Sequence, residues 1–342
     1  MIDTIKIYTM INKSTYDKIY NNSILKTSYN KKDGQIYYEI VNDKLEGSYS
    51  SSLSVRVGSG VKYKFINMYY IEIEGSFHKI MLGYNSHNGF YNLVEIVQYL
   101  IGAVEYAYNI KLPKLKNWFL QRIDIAICFD LLSNKKVCKY INNLSLCTYP
   151  RRNIKHYQDE SIYCTGTSTT LKIYNKLLEF KKHDMKKLFN TNFNIDNYLK
   201  EIDGFIRFEC EIKKKKLQDI YNKKYIRVRN VDYKDLRKVW SDEFMKILNM
   251  FESDLTIVKN KEDIKRRIYT CYKERKANIL YNFYCSIMLD GIREVKKSIS
   301  NRTYYRYIKD LKSINVDLSQ KYKLTIDNDI VDFNPFEWKE VI

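Results

Sequence analysis

Apolar and polar positions alternate in short runs over the first 75 residues, the period of a half-buried strand, before the pattern widens to that of a helix. The runs IDTIKIYTMI (2–11), QIYYEIV (35–41), SLSVRV (52–57) and VKYKFINMYYIEIEG (61–75) predict strands, and NLVEIVQYLIGAVEYAYNI (92–110) predicts a long helix. Further strands are expected at QRIDIAICFD (121–130), ESIYCTG (160–166), TLKIY (170–174) and FIRFECEIK (205–213), with helices over 134–143 and from about 175. From residue 233 the alternation stops, and 233–251, 261–291 and 301–314 each carry helical spacing. The pattern predicts an α+β unit built on an antiparallel sheet over residues 1–230 and a mainly helical unit over 231–342. A chain of 342 residues is long enough for two cores, and with 11 Gly and 3 Pro it offers few breakers to mark a boundary.

Three of these segments carry chemistry on the face turned away from the core. In QRIDIAICFD, Ile123, Ile125, Ile127 and Phe129 share one face, leaving Arg122, Asp124 and Asp130 on the other. In FIRFECEIK, Ile206, Phe208, Cys210 and Ile212 oppose Arg207, Glu209 and Glu211. In TLKIY, Leu171 and Ile173 oppose Lys172 and Tyr174, and the chain then enters a helix. An exposed sheet face is ordinarily charged, but R-x-D and R-x-E place a carboxylate two residues after an arginine on each of two such faces. Convergent oxygen ligands suit a hard cation such as Mg²⁺. A tyrosine beside them is a candidate nucleophile for a phosphodiester, given help in losing its proton from a cation such as Lys176, a base or a metal.

Charge supports an anionic partner, since 59 Lys+Arg against 40 Asp+Glu give +19. An AT-rich coding sequence alone would also favour lysine. The seven cysteines form no C-x-x-C pair, which argues against structural zinc and a disulfide framework. No stretch has the length of a membrane span or the layout of a signal peptide, and a soluble cytosolic protein is expected. No G-x-x-x-x-G-K-[ST] occurs, so no nucleotide cofactor is expected.

In order along the chain, MIDTIKIY, IEIEGSFHKIMLGYN, RIDIA, ESIYCTGTST, IYNKLLEF, IRFECEIKKKKL and RTYYRYIKDLKSI make it similar to the phage and plasmid replication initiators of the II/X family. That resemblance implies an enzyme of rolling-circle replication. It nicks one strand of supercoiled origin DNA, joins the 5′ phosphate through a tyrosine and later religates the circle. It further implies a fold like that of the HUH endonucleases, an antiparallel sheet flanked by helices. The family's Y-x-K-x-x-E pattern falls on Tyr174, Lys176 and Glu179, making Tyr174 and Lys176 the catalytic candidates. Carrying over R-x-D and R-F-E points to Asp124 and Glu209 as ligands of Mg²⁺ or Mn²⁺, with Glu179 as a third. Host helicase and DNA polymerase are the implied partners, in the cytoplasm of a bacterial host. The sequence departs from its relatives at Gly83-Tyr84-Asn85, where Gly-His-Asn is common, and it has no His-x-His; His156 and His183 are the remaining histidines that a metal could recruit.

Toward the C-terminus, Ser300 or Asn301 caps a helix whose Arg302, Tyr305, Arg306, Lys309 and Lys312 follow helical spacing, as in a helix-turn-helix reading DNA. A solvated basic helix with Tyr304, Ile308 and Leu311 as its core has the same spacing. Two rival functions are a tyrosine recombinase and a non-enzymatic DNA-binding regulator. The first needs H-x-x-R, whereas the four histidines are followed at that spacing by Met81, Phe90, Asp159 and Lys186.

Overall fold

The computed structural model describes residues 1–23, 25–29, 31–34, 36–46, 52–59, 68–144, 149, 152–255, 261–290, 292–314 and 316. The chain order is β1 (Ile2–Ile11), α1 (Lys13–Asn21), β2 (Leu25–Tyr29), β3 (Ile36–Glu46), β4 (Ser52–Ser59), β5 (Tyr69–Ser76), α2 (Phe77–Leu82), α3 (Leu93–Tyr108) and β6 (Phe119–Asp130). It continues with α4 (Asn134–Leu144), β7 (Asn153–Tyr157), β8 (Ser161–Thr165), β9 (Thr169–Asn175), α5 (Lys176–His183), α6 (Met185–Leu188), α7 (Ile195–Glu201), β10 (Phe205–Lys213), α8 (Lys214–Tyr221) and β11 (Ile226–Arg227). Five helices follow: α9 (Tyr233–Leu255), α10 (Lys261–Cys271), α11 (Glu274–Asp290), α12 (Ile292–Ser298) and α13 (Asn301–Ser313). Residues 61–67 of the expected fourth strand lie outside the described residues, and the strand observed there begins at Tyr69.

One sheet organises the first part of the chain, in the order β2-β3-β4-β5-β1-β6-β10-β9-β8-β7 with β11 on β6, and its pairings are antiparallel. Its apolar face is the alternation visible in the sequence: Ile123, Ile125, Phe129, Ile206, Phe208 and Ile212 are all buried. Helix α3 covers part of it because Ile96, Val97, Leu100, Ile101 and Val104 recur at three- and four-residue spacing. Asn92 caps that helix by accepting from the amides of Val94 and Glu95.

The first packed unit runs past residue 230. Leu236, Val239, Trp240, Phe244 and Ile247 of α9 belong to the core of the sheet, and the Trp240 indole donates to the Phe208 carbonyl at 3.0 Å. A smaller core beyond it joins Ile268, Leu280, Ile287, Tyr304 and Leu311. The single helix expected over 261–291 is two, α10 and α11, broken at Tyr272 and Lys273. No Gly or Pro announces the break. Tertiary contact explains it: the Tyr272 hydroxyl donates to the Asp310 carbonyl of α13 at 2.7 Å, and its ring packs on the helical core. No helix among the described residues is long and apolar enough to cross a membrane.

Candidate active site

Register decides what the polar face brings together. Strand β10 lies between β6 and β9, with Arg207 opposite Tyr174 and Cys128, Glu209 opposite Lys172 and Ala126, and Glu211 opposite Thr170 and Asp124. Tyr174 and Glu209 are thus diagonal neighbours across one ladder, within reach of each other. Across the other ladder of β10, Asp124 lies two positions from Glu209 and four from the level of Tyr174, the latter about 13 Å along the strand at about 3.3 Å per residue.

The Tyr174 hydroxyl donates to Glu209 Oε2 at 3.1 Å and accepts from Asn85 Nδ2 at 3.3 Å. Glu209 Oε1 accepts from Lys172 Nζ at 2.6 Å. Burial works against the Lys172 charge, but Glu209 and Asp124 outweigh it and hold the ammonium above its ordinary range. These groups open into a cavity of about 560 Å³ that Asp3, Lys79, Asn85, Glu179 and Glu209 line around Tyr174. Tyr174 itself is only 6% exposed. Burial pushes its phenol well above the ordinary tyrosine range; Arg207 pulls it down and Glu209 pushes it up again. At neutral pH the phenol keeps its proton, in a hydrogen bond to a carboxylate.

Local sequence sets Tyr174 at a strand-to-helix turn. Asn175 caps α5, its Oδ1 accepting from the Leu178 amide at 3.1 Å, and its Nδ2 donates to Asn134 Oδ1 at 2.6 Å. Lys176 and Glu179 fall three residues apart in the first turn of α5 and pair at 2.7 Å, with Lys176 fully buried. Lys176 is thereby committed to Glu179. The cation facing Tyr174 across the ladder is Arg207, which residue-type reasoning passed over.

Arg207 belongs to a second set of groups missed in the sequence. A bulge between Ile2 and Ile5 turns Asp3 onto the polar face, where its carboxylate meets Arg207 Nη2 at 3.0 Å and accepts from the Ser76 hydroxyl at 2.7 Å. Arg207 Nη1 donates to the Ser86 carbonyl at 2.7 Å. Gly83, at φ 82°, ends α2 in the left-handed region and turns the chain so that the Asn85 amide donates to Asp184 Oδ2 at 3.0 Å. Asp3, Asn85 and Arg207 lie inside the stretches MIDTIKIY, IMLGYN and IRFEC, so for them the ordered motifs were the available signal.

The expected metal ligands divide. Glu209 and Glu179 line the cavity, and both are oxygen donors of the kind that Mg²⁺ or Mn²⁺ takes. Asp124 is a diagonal neighbour of Glu209 and shares Lys172 with it, but it does not reach the cavity. Its two oxygens accept from Arg122 Nε and Nη2 at 2.8 and 2.6 Å, and it is fully buried. Its link to the floor is Lys172, whose Nζ lies 3.8 Å from Asp124 Oδ2. The arginine of R-x-D is occupied with its own aspartate, whereas the arginine of R-x-E reaches across to Asp3. Among the described residues no group of three His, Cys, Asp or Glu side chains stands close enough to hold a metal. His156 is exposed on β7, and His183 lines the cavity at the end of α5.

His78 is fully buried on α2, and its Nε2 accepts from the Phe90 amide at 3.3 Å. A Cβ on Gly89 would stand 2.5 Å from that nitrogen, so only glycine allows the approach. Burial, against the pull of Asp3, lowers the imidazole to about 4. With an unfolded value of about 6.5, the unfolded chain binds the extra proton first. The contribution of His78 is therefore present above pH 6.5 and lost as pH falls toward 4, at most about 3 kcal/mol. Urea midpoints between pH 7 and pH 4.5 should show that loss, and His78→Gln should flatten it.

In the C-terminal core, Ser300 caps α13 by accepting from the Thr303 amide at 3.3 Å. Tyr304 and Leu311 are buried, while Arg302, Tyr305, Arg306, Lys309 and Lys312 are exposed together on the opposite side. Two residues, Ile299 and Ser300, separate α12 from α13.

No curated protein and no solved structure matches the chain. The family model for the N-terminal part of the gene II replication-associated protein matches residues 1–235, which carry the sheet, the cavity and Tyr174. The chain belongs to that family, the phage replication initiators of the gene II type.

Proposed function

We propose that this replication initiator nicks and rejoins one strand of origin DNA through a covalent bond to Tyr174. The observation that carries the reading is the buried Tyr174 hydroxyl, hydrogen-bonded to Glu209 and Asn85 on the floor of a cavity open to solvent. In the nicking step the Tyr174 oxygen bonds to phosphorus while the bond from phosphorus to the 3′ oxygen breaks. The phenolic proton passes to Glu209 Oε2, and the departing oxygen takes a proton from solvent water, which the open cavity admits, to become a 3′ hydroxyl. Lys172, paired with Glu209, keeps the floor compensated before the transfer, and Arg207 favours phenolate character in the attacking oxygen. Rejoining runs the same exchange backwards, with Glu209 returning the proton. Bond energy is conserved in the phosphotyrosine, so rejoining needs no ATP.

Glu209 and Glu179 are the groups that would hold Mg²⁺ or Mn²⁺, whose chemistry there is to polarise the phosphoryl oxygens. Asn85 and the Glu209 carboxylate orient the hydroxyl, and burial keeps water from competing with it. Lys79 and Lys182 line the cavity, paired with Asp184 and Glu160, and are proposed to exchange those partners for DNA phosphates. Unwinding and synthesis fall to a host helicase and polymerase, in keeping with the lack of a P-loop.

Incubating the full chain with supercoiled origin plasmid and Mg²⁺ or Mn²⁺ tests the reading. Open circles should appear with protein on the 5′ end, EDTA should block them, and peptide mapping should place the adduct on Tyr174. An adduct on another residue, or nicking with a free 5′ phosphate, overturns it. The exposed face of α13 is proposed to hold the duplex by its phosphates. Arg306→Ala and Lys309→Ala should each weaken origin binding and flatten its salt slope by roughly 1.

A further inference from the structure

We infer that the β7–β8 wall of the cavity is a stacking site for an unpaired base of the DNA strand being cut, formed by Tyr157 and Tyr163. Both rings line the same cavity as Tyr174. Tyr157 is 50% exposed although it is aromatic and closes a strand. The two rings meet edge to face, with centroids 5.4 Å apart and planes at 79°. That contact covers little of their π-faces and leaves area for a third planar group. Strand β7 ends the sheet and β8 carries Tyr163 directly opposite Lys172, the lysine bonded to Glu209. The aromatic wall is thus rigidly joined to the floor where Tyr174 lies.

Charge selects a base for this wall rather than a phosphate. The four acids lining the cavity each hold a cation: Asp3 with Arg207, Glu160 with Lys182, Glu179 with Lys176 and Glu209 with Lys172. The polar floor is compensated, and the two rings beside it carry no charge. A group that reaches the wall while its neighbour's phosphate meets Tyr174 is flat, weakly polar and tethered to that phosphate. A base flanking the scissile phosphate has this chemistry. In duplex DNA both faces of a base are covered by its neighbours, so only an unpaired base can stack here. Burial of Tyr174 agrees, because a phosphate reaches its hydroxyl only if the strand enters the cavity away from its complement.

The inference rests on the proposed role of Tyr174 for its location but is tested without cleavage. The full chain is titrated, without divalent metal, with a single-stranded oligodeoxynucleotide of about 16 nucleotides carrying 2-aminopurine, and with the same sequence as duplex. Single-strand binding should quench the 2-aminopurine. The double variant Tyr157→Ala/Tyr163→Ala should lose the quenching and about tenfold in single-strand affinity, with duplex affinity unchanged. Tyr157→Phe/Tyr163→Phe, which keeps both rings and the packing, should retain both signals. Absent quenching, equal loss on duplex and single strand, or equal loss in the phenylalanine pair overturns the inference. Failure of Tyr174 to form an adduct would leave these binding results standing.

Discussion

Tyr174→Phe is expected to abolish covalent capture of DNA, with adduct formation down by at least about a thousandfold and origin affinity within about twofold. The substitution removes one oxygen and keeps the ring, so the buried packing at this 6% exposed position survives. Glu209 Oε2 and Asn85 Nδ2 each lose a partner, which costs about 1–2 kcal/mol of stability. Other tyrosines are abundant, 32 in all, but substitution by a neighbour requires a hydroxyl on this floor beside Glu209. Labelled origin DNA on a denaturing gel reads the adduct, and a mobility shift reads the binding. Adduct at the wild-type level in this variant would remove Tyr174 from the mechanism. Glu209→Gln provides a companion measurement, because it retains an acceptor for the hydroxyl but not a base.

Arg207→Met is expected to cost about 3–5 kcal/mol of folding stability, the scale for stripping one partner from a buried ion pair. Arg207 is fully buried and Asp3 is 4% exposed, so neither charge has water to fall back on. Burial alone would raise the Asp3 carboxyl; Arg207 reverses this and holds it well below the usual range. The pair's stabilisation is therefore in place above about pH 4, the unfolded value of an aspartate, and is lost as pH falls below it. In the variant the sign inverts. Asp3 is left with a raised folded value, and its deficit grows as pH rises from 4 toward 7. Urea unfolding at pH 4.5 and pH 7 should show a deficit, relative to the parent at the same pH, that is larger at pH 7, and Asp3→Asn added to Arg207→Met should recover most of the loss. A variant as stable as the parent at pH 7 would show that the pair contributes nothing.

Much of the fold could be read along the chain because its strands alternate in polarity, even though the polar face of β6, β9 and β10 is itself largely buried. In β6, β9 and β10 apolar residues recur at every second position, so period 2 identified both the element and the face of Asp124, Tyr174 and Glu209. Helix α3 was equally plain, with its cap at Asn92 and its stripe from Ile96 to Val104. The short α2 was not, since six residues carry too few turns to show a period. The break at Tyr272 was hidden for another reason: it depends on a hydrogen bond to a residue 38 positions later.

Local matters are legible in the order of residues alone: which segments are strands or helices, which side chains share a face, and that Tyr174 lies where a strand passes into a capped helix. Composition added the charge of +19, and the ordered motifs pointed to a family. Which residues on the polar face meet was settled only by folding. Antiparallel register puts Glu209 diagonal to Tyr174, sends Asp124 four positions away into the grip of Arg122, and sets Arg207 opposite the phenol. A bulge in β1 then delivers Asp3 from two strands away, across β6. Alternation specifies the face but leaves register free to shift in steps of two, and register is set by packing along the whole sheet. For that reason a carboxylate's face could be read in the sequence and its partner could not.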